Sequence, residues 1–171
     1  RLPEPTGQLV KAFLLGILSV PLSLCISTPL GLMGVFPEVA TSILGSIRSA
    51  FFGAAIPEEI AKFFILWLVL RKNPYFDEKM DGIVYAVCVS LGFAALENIM
   101  YLFSNAEAYL SVGITRAMFA VPGHFCFGIL MGYYYSLAKF YPKAPKKNKV
   151  LILVAPILVH GLYDSILFRA D

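Results

Sequence analysis

The chain has 171 residues, of which 58% are hydrophobic and only 15% are charged, and its mean hydropathy is +0.75. Soluble domains are roughly 45–50% apolar and about 25% charged, so this composition excludes an ordinary soluble domain and indicates an integral membrane protein. The net charge is only +3 and the chain has no phosphate-binding loop, so we expect the lipid bilayer, and no nucleic acid, as its surroundings.

The predicted elements are apolar helices separated by polar turns. Spans are expected at residues 12–36, 81–103, 116–140 and 150–168, with loops at 71–79, 104–115 and 139–149. Residues 39–70 are too long for one crossing and too short for two, so we expect residues 41–56 to lie partly in the interface and Pro57 to kink the segment. The fold class is therefore all-α, a polytopic transmembrane bundle of about five to six hydrophobic helices.

We expect residues 1–171 to form a single integral membrane domain with a conical or cavity-containing polar site. The chain opens with Arg1 rather than Met, which is consistent with truncation at one or both ends. Small residues recur every fourth position from Gly82 to Ala94, and again at Gly128 and Gly132 after His124. This spacing predicts closely packed helix faces.

Charged residues interrupt the apolar stretch over residues 39–70 at Glu58, Glu59 and Lys62. An ionised side chain at mid-membrane costs about 2.5–3.5 kcal/mol on insertion scales, so such groups are functional candidates. Lys62 follows the acids by four and three residues, which on a helix places its ammonium beside both carboxylates. One carboxylate is then left without a full local partner and is available for chemistry.

The charge of the loops predicts the orientation of the chain in the membrane. Loops 71–79 and 139–149 are basic and 104–115 is not, so the basic loops are expected in the cytoplasm. At about 1.5 Å per residue, Glu59, Glu97, His124, His160 and Asp164 lie roughly 16–24 Å above the cytoplasmic ends of their helices. Four helices therefore bring ionisable groups to a common level, which predicts one buried polar site in the outer half of the membrane.

This set of side chains permits two kinds of hydrolytic chemistry. A Glu and a His can deprotonate a trapped water, while the second His with Asn98 or Asp164 steadies the developing oxyanion. Glu97, His124 and His160 are alternatively a candidate ligand trio for one divalent metal such as zinc. The chain has no HExxH motif, and the spacing does not decide between the two mechanisms.

Three ordered motifs resemble those of a known family. Glu58-Glu59-x-x-Lys62, Phe93-x-x-x-Glu97-Asn98 and His160-x-x-x-Asp164 are similar to the EExxK, FxxxE and HxxxD motifs of the PrsW intramembrane proteases, which are related to the CAAX prenyl endopeptidases. The resemblance implies a multi-pass protein of the bacterial plasma membrane. It also implies site-1 cleavage of a single-span anti-sigma factor on the extracytoplasmic side, which releases a stress response.

We therefore expect an intramembrane endopeptidase, of glutamate or metal type. The candidate catalytic residues are Glu58, Glu59, Glu97, His124, His160 and Asp164, and the candidate supporting residues are Lys62, Phe93, Asn98 and Arg116. Either Glu58 or Glu59 is expected to activate the water. The alternatives are a proton- or cation-coupled transporter, since buried acids and imidazoles also build proton relays, and a non-catalytic membrane scaffold.

Overall fold

The computed structural model describes residues 3–37, 39, 41–141 and 146–170, and within them the chain is helical and contains no strand. The helices are α1 (Thr6–Ile17), α2 (Ser19–Leu32), α3 (Ile43–Arg48), α4 (Ile56–Leu70), α5 (Lys79–Ser104), α6 (Tyr109–Met118), α7 (Ala120–Phe140) and α8 (Lys147–Ala170). A π-helical segment, Ser49–Ala55, joins α3 to α4, and a 3₁₀ turn, Ala106–Ala108, precedes α6.

Four helical stretches of the described chain are long and apolar enough to cross a membrane: Thr6–Leu32, Lys79–Ser104, Ala106–Phe140 and Lys147–Phe168. The predicted all-α polytopic bundle is confirmed, and the protein is a multi-pass membrane protein. The continuous stretch over residues 43–70 is not among these four spans. It carries Arg48, Glu58, Glu59 and Lys62, and with the four spans it gives a fifth largely apolar helical stretch, within the expected five to six.

Two of the helix ends coincide with the position of a proline, whereas Pro29 and Pro156 lie inside α2 and α8. Pro21 and Pro122 cannot donate a hydrogen bond to the carbonyls of Ile17 and Met118, and α1 and α6 end at those residues. Pro57 was expected to kink its helix, and the structure instead places the π-helical turns immediately before it. A proline ring crowds the carbonyl four residues earlier, here that of Gly53, which accounts for the widened turns.

The loop predicted at residues 104–115 is wrong, because most of this segment is helical. Its polar residues and its lack of Lys and Arg suggested a loop, but Leu110, Ile114 and Met118 recur every fourth position and form an apolar helical face. The helix α6 has no buried residue, and these apolar side chains are exposed. The predicted starts at residues 116 and 150 were likewise displaced, since α7 begins at Ala120 and α8 at Lys147.

Small residues allow α5 to pack closely against α7 and α1. A Cβ added at Gly128 would lie 2.9 Å from the Ser90 hydroxyl, and one added at Gly132 would collide with the carbonyl oxygen of Gly82. On the other side of α5, a Cβ at Gly16 would collide with the Val89 carbonyl. The small-residue faces predicted on α5 and α7 are thus confirmed as helix contacts.

The two basic loops meet at one end of the bundle. Lys79, at the start of α5, donates a hydrogen bond to the Tyr141 hydroxyl just after α7. Lys139, near the end of α7, donates to the carbonyl of Phe76 in the 71–79 loop. Residues 142–145 of the second predicted loop lie outside the described residues. These contacts place the 71–79 loop and the end of α7 at the same end of the bundle, as the predicted orientation requires.

Candidate active site

The first turns of α4 contribute the acid pair and its lysine. The Lys62 ammonium lies 2.8 Å from Glu59 Oε1 and 3.4 Å from Glu58 Oε2, as the i+3 and i+4 spacing requires. The side chains of Lys62 and Glu59 are both fully buried, at 0% exposure. Lys62 also lies 4.2 Å from the centre of the Phe93 ring on α5. A buried ammonium is therefore compensated by carboxylates and by the face of an aromatic ring.

Lys62 connects this pair to a second group on α5, α6 and α7. Its Nζ lies 3.0 Å from His124 Nδ1, and His124 Nε2 lies 3.0 Å from Glu97 Oε2. Because an ammonium only donates, His124 Nδ1 acts as the acceptor and its Nε2–H donates to Glu97. The Arg116 guanidinium, from the last turn of α6, bonds the same Glu97 oxygen at 2.5 Å and Asn98 Oδ1 at 2.7 Å.

α8 completes the network through its histidine. His160 Nδ1 lies 2.9 Å from Glu59 Oε1, and His160 Nε2 lies 3.2 Å from Asp164 Oδ2 and 3.9 Å from Glu58 Oε2. The Phe127 ring of α7 stacks on this imidazole, with centroids 4.5 Å apart and planes 17° apart. His160 is thus held on both nitrogens and on one face, which suits a positioning role better than that of a mobile proton carrier.

A cavity of about 680 Å³ opens beside this network. It lies between α2, the π-helical segment, α5 and the end of α8, and the side chains of Val20, Leu24, Phe36, Met100, Tyr101 and Phe168 contribute to its largely apolar wall. Glu58 and Glu97 line it, and they remain 12% and 17% exposed. Glu59, Lys62, His124 and His160 do not line this cavity and lie behind the two exposed carboxylates.

The structure brings the candidate catalytic and supporting residues into one connected cluster. Hydrogen bonds and ion pairs join all of them except Phe93, which contacts Lys62 and His124 through its ring. The contacts show proximity, and the catalytic roles remain predictions. The acids and imidazoles, which are far apart in the sequence, therefore lie together as predicted. Glu58 and Glu97 are on the side of the cluster that faces the cavity.

The residues able to hold a metal ion differ from the predicted trio by one member. Among the described residues, Glu58, Glu97 and His124 each place one ligand atom within 4.8 Å of the others. His160 was predicted in this role, but its nitrogens face Glu59 and Asp164. Two carboxylates and an imidazole are suitable zinc ligands, so the residue types present fit a divalent cation. To ligate one, His124 has to give up its Nδ1 bond with Lys62 or its Nε2–H bond to Glu97.

Two contributors to the site were missed in the sequence. Tyr101 lines the cavity and its ring lies 3.8 Å from the Arg116 guanidinium carbon, while Phe127 stacks on His160. Tyr101 follows Glu97 by four residues and Phe127 follows His124 by three, so each shares a helix face with a predicted site residue. This helical spacing is the sequence signal from which both residues could have been predicted.

Comparison with known proteins agrees with this geometry. A family model described as PrsW family intramembrane metalloprotease matches residues 4–171. The chain belongs to the PrsW family. It is 38% identical to Protease PrsW of Oceanobacillus iheyensis over 98% of this chain and 73% of that protein. It is 39% identical to Protease PrsW of Clostridioides difficile (96% of this chain, 68% of that protein) and 38% identical to that of Bacillus subtilis (96% and 71%).

No solved structure matches the chain. Membership of the PrsW family makes the protein an intramembrane peptidase, and the alternatives of a transporter or a scaffold are set aside. A membrane-embedded substrate follows from this activity. The cavity that reaches Glu58 and Glu97 is the place in the described structure where such a substrate can meet carboxylates.

Proposed function

We propose that this PrsW-family protease cleaves a single-span membrane protein, an anti-sigma factor, on the extracytoplasmic side of a bacterial plasma membrane. The observation that carries the proposal is the position of Glu58 and Glu97 in the cavity between membrane-crossing helices. The basic ends of α5 and α7 mark the cytoplasmic side, and Glu97 lies about 27 Å along α5 from Lys79. The bacterial sources of the relatives support the membrane assignment.

Glu58 is the residue best placed to activate water. It faces the cavity, whereas Glu59 is fully buried and its Oε1 is bonded by both Lys62 and His160. Glu58 takes a proton as the water oxygen attacks the scissile carbonyl, and then gives that proton to the leaving amide nitrogen. Lys62 holds the Glu58 carboxylate from behind, 3.4 Å from its Oε2, and His160 Nε2 lies 3.9 Å from the same oxygen.

Glu97 forms the opposite wall of the site, and His124 lies behind it. The Glu97 carboxylate is fixed through Oε2 by His124 and Arg116, and it lines the cavity where the peptide bond has to lie. Asp164 bonds the Nε2 side of His160, which keeps that imidazole oriented toward the acid pair. We therefore assign His160 and Asp164 the role of orienting the carboxylates. The sequence also permitted a role in stabilising the oxyanion.

The family description implies a metal ion, and the donor set fits one. Glu58, Glu97 and His124 would hold it with one oxygen or nitrogen each. A divalent cation bound there would act as a Lewis acid toward the scissile carbonyl.

The experiment is a cleavage assay in proteoliposomes, using a single-span protein with an extracytoplasmic juxtamembrane segment. We expect a cut on the extracytoplasmic side and its loss in Glu58→Gln, and mass spectrometry of the products locates the cut. Metal analysis of the purified protein, with chelation and re-addition of zinc, tests the ligand set through bound metal as well as rate. Cleavage by Glu58→Gln at the parent rate would overturn the mechanism.

A further inference from the structure

Arg116 reaches the site from a helix at the edge of the bundle, most of whose residues are exposed. The helix α6 has no buried residue, yet the Arg116 side chain is only 16% exposed. Its guanidinium bonds Glu97 Oε2 at 2.5 Å and Asn98 Oδ1 at 2.7 Å, and it lies 3.8 Å from the Tyr101 ring centre. One planar cation is thus fixed by three neighbours that all belong to one face of α5.

These contacts constrain the Glu97 carboxylate in a way that His124 alone does not. His124 and Arg116 approach the same oxygen of Glu97, from α7 and α6 respectively. With both donors present the carboxylate has one orientation, in which it lines the cavity. With only the imidazole bond left, rotation of the carboxylate about its last torsion is no longer opposed from the α6 side.

We propose that Arg116 is a positioning residue that fixes the orientation of Glu97 for hydrolysis, a role that rests on the proposed function of Glu97. The role requires a guanidinium, because bridging Glu97 and Asn98 while stacking on Tyr101 needs several donors in a flat, rigid group. A lysine ammonium at this position carries the same charge but cannot make both bonds and the stacking contact together.

The test compares Arg116→Ala and Arg116→Lys with the parent enzyme in the full chain, reconstituted with a single-span substrate. We expect kcat to fall on the order of 10²-fold in both variants, because a small misplacement of a reacting group has this effect. KM should stay within about threefold of the parent value, since Arg116 does not line the cavity. Methylguanidinium at millimolar concentration should restore part of the Arg116→Ala rate, and methylammonium should not.

Arg71→Ala is the matched control. Arg71 also stacks on an aromatic ring, that of Trp67 at 4.8 Å, but it lies at the cytoplasmic end of α4. This variant should keep the parent kcat and show no response to methylguanidinium. Thermal unfolding of every variant is measured in parallel, and Arg116→Lys serves as the test if Arg116→Ala does not fold.

Two results would overturn the inference. A parent kcat in Arg116→Ala would show that Glu97 needs no help from α6. A parent kcat in Arg116→Lys would show that charge alone is sufficient. Glu97→Gln separates this inference from the proposed function: if it cleaves at the parent rate, the function proposed for Glu97 fails. If Glu97→Gln is inactive while Arg116→Ala is fully active, only the role of Arg116 fails.

Discussion

Glu58 lines the cavity, whereas the adjacent Glu59 is fully buried, 2.8 Å from the Lys62 ammonium and 2.9 Å from His160. Successive residues on an α-helix point about 100° apart, so one helix turn directs the two carboxylates to different surroundings. The accessible acid is available to a substrate, and the buried acid neutralises the lysine. We therefore expect Glu58 to serve catalysis and Glu59 to serve stability.

Replacing each acid by its amide should separate these roles. Glu58→Gln should abolish cleavage and leave thermal unfolding near that of the parent, because this side chain reaches the cavity. Glu59→Gln should also lower stability by about 3 kcal/mol, because a buried ammonium loses its nearest counter-charge. Unfolding in detergent and cleavage in liposomes are the two measurements. Equal stability of the two variants would contradict this division.

The stability lost in Glu59→Gln should be recovered in part when the lysine is also removed. Lys62→Met deletes the uncompensated charge and keeps an unbranched side chain of similar length at a fully buried position. The double variant should therefore unfold at a higher temperature than Glu59→Gln alone, although it remains inactive. Additive losses would show that the 2.8 Å contact carries no coupling energy.

Much of this site could be predicted from the residues alone. Charged groups such as Glu58 and Lys62 are costly in lipid, so their presence in apolar helices indicated a common polar site before any contact was known. Which acid faces the cavity could not be predicted, because the rotation of α4 depends on tertiary packing. A Cβ at Gly161 of α8 would lie 2.5 Å from the Phe51 ring in the π-helical segment, so α8 packs closely against the turns that lead into α4.

The helix α6 was missed for a similar reason, although Arg116 itself was predicted as a supporting residue. Its polar composition suggested a loop, and the bond between Arg116 and Glu97 joins residues separated by a turn whose path the sequence does not define. The choice of Glu58 rather than His160 beside Glu97 and His124 also depends on contacts between helices. Local patterns predicted most of the helices and the clustering of the polar groups, and long-range packing decided their partners.

Helix packing can be tested at Gly132, where α7 crosses α5. A Cβ at this position would collide with the Gly82 carbonyl and lie 2.5 Å from the Ile83 Cα. Gly132→Ala should therefore destabilise the protein by about 1–3 kcal/mol. Gly7→Ala is the matched control, since nothing lies within 4 Å of its added Cβ, and helix propensity should make it neutral or stabilising. Similar unfolding temperatures for the two variants would mean that the helices are not in close contact.

The cavity itself can be probed by cysteine labelling at two adjacent positions. Ala54 lines the cavity, whereas Ala55 is fully buried at 0% exposure, so they differ in access and share the same segment. In a background with Cys25, Cys88 and Cys126 replaced by Ala, Ala54→Cys should react quickly with a small thiol reagent and Ala55→Cys slowly. Mass spectrometry gives the two rates.

Labelling in the presence of substrate tests whether the cavity binds the substrate. A bound transmembrane peptide should slow labelling of Ala54→Cys, because a chain whose scissile bond lies at Glu58 has to occupy the space beside the π-helical segment. Labelling at Ala55→Cys should not change. If saturating substrate leaves Ala54→Cys as reactive as before while cleavage proceeds, the peptide reaches Glu58 from another side, and the apolar wall of Val20, Leu24 and Phe36 has no part in recognising it.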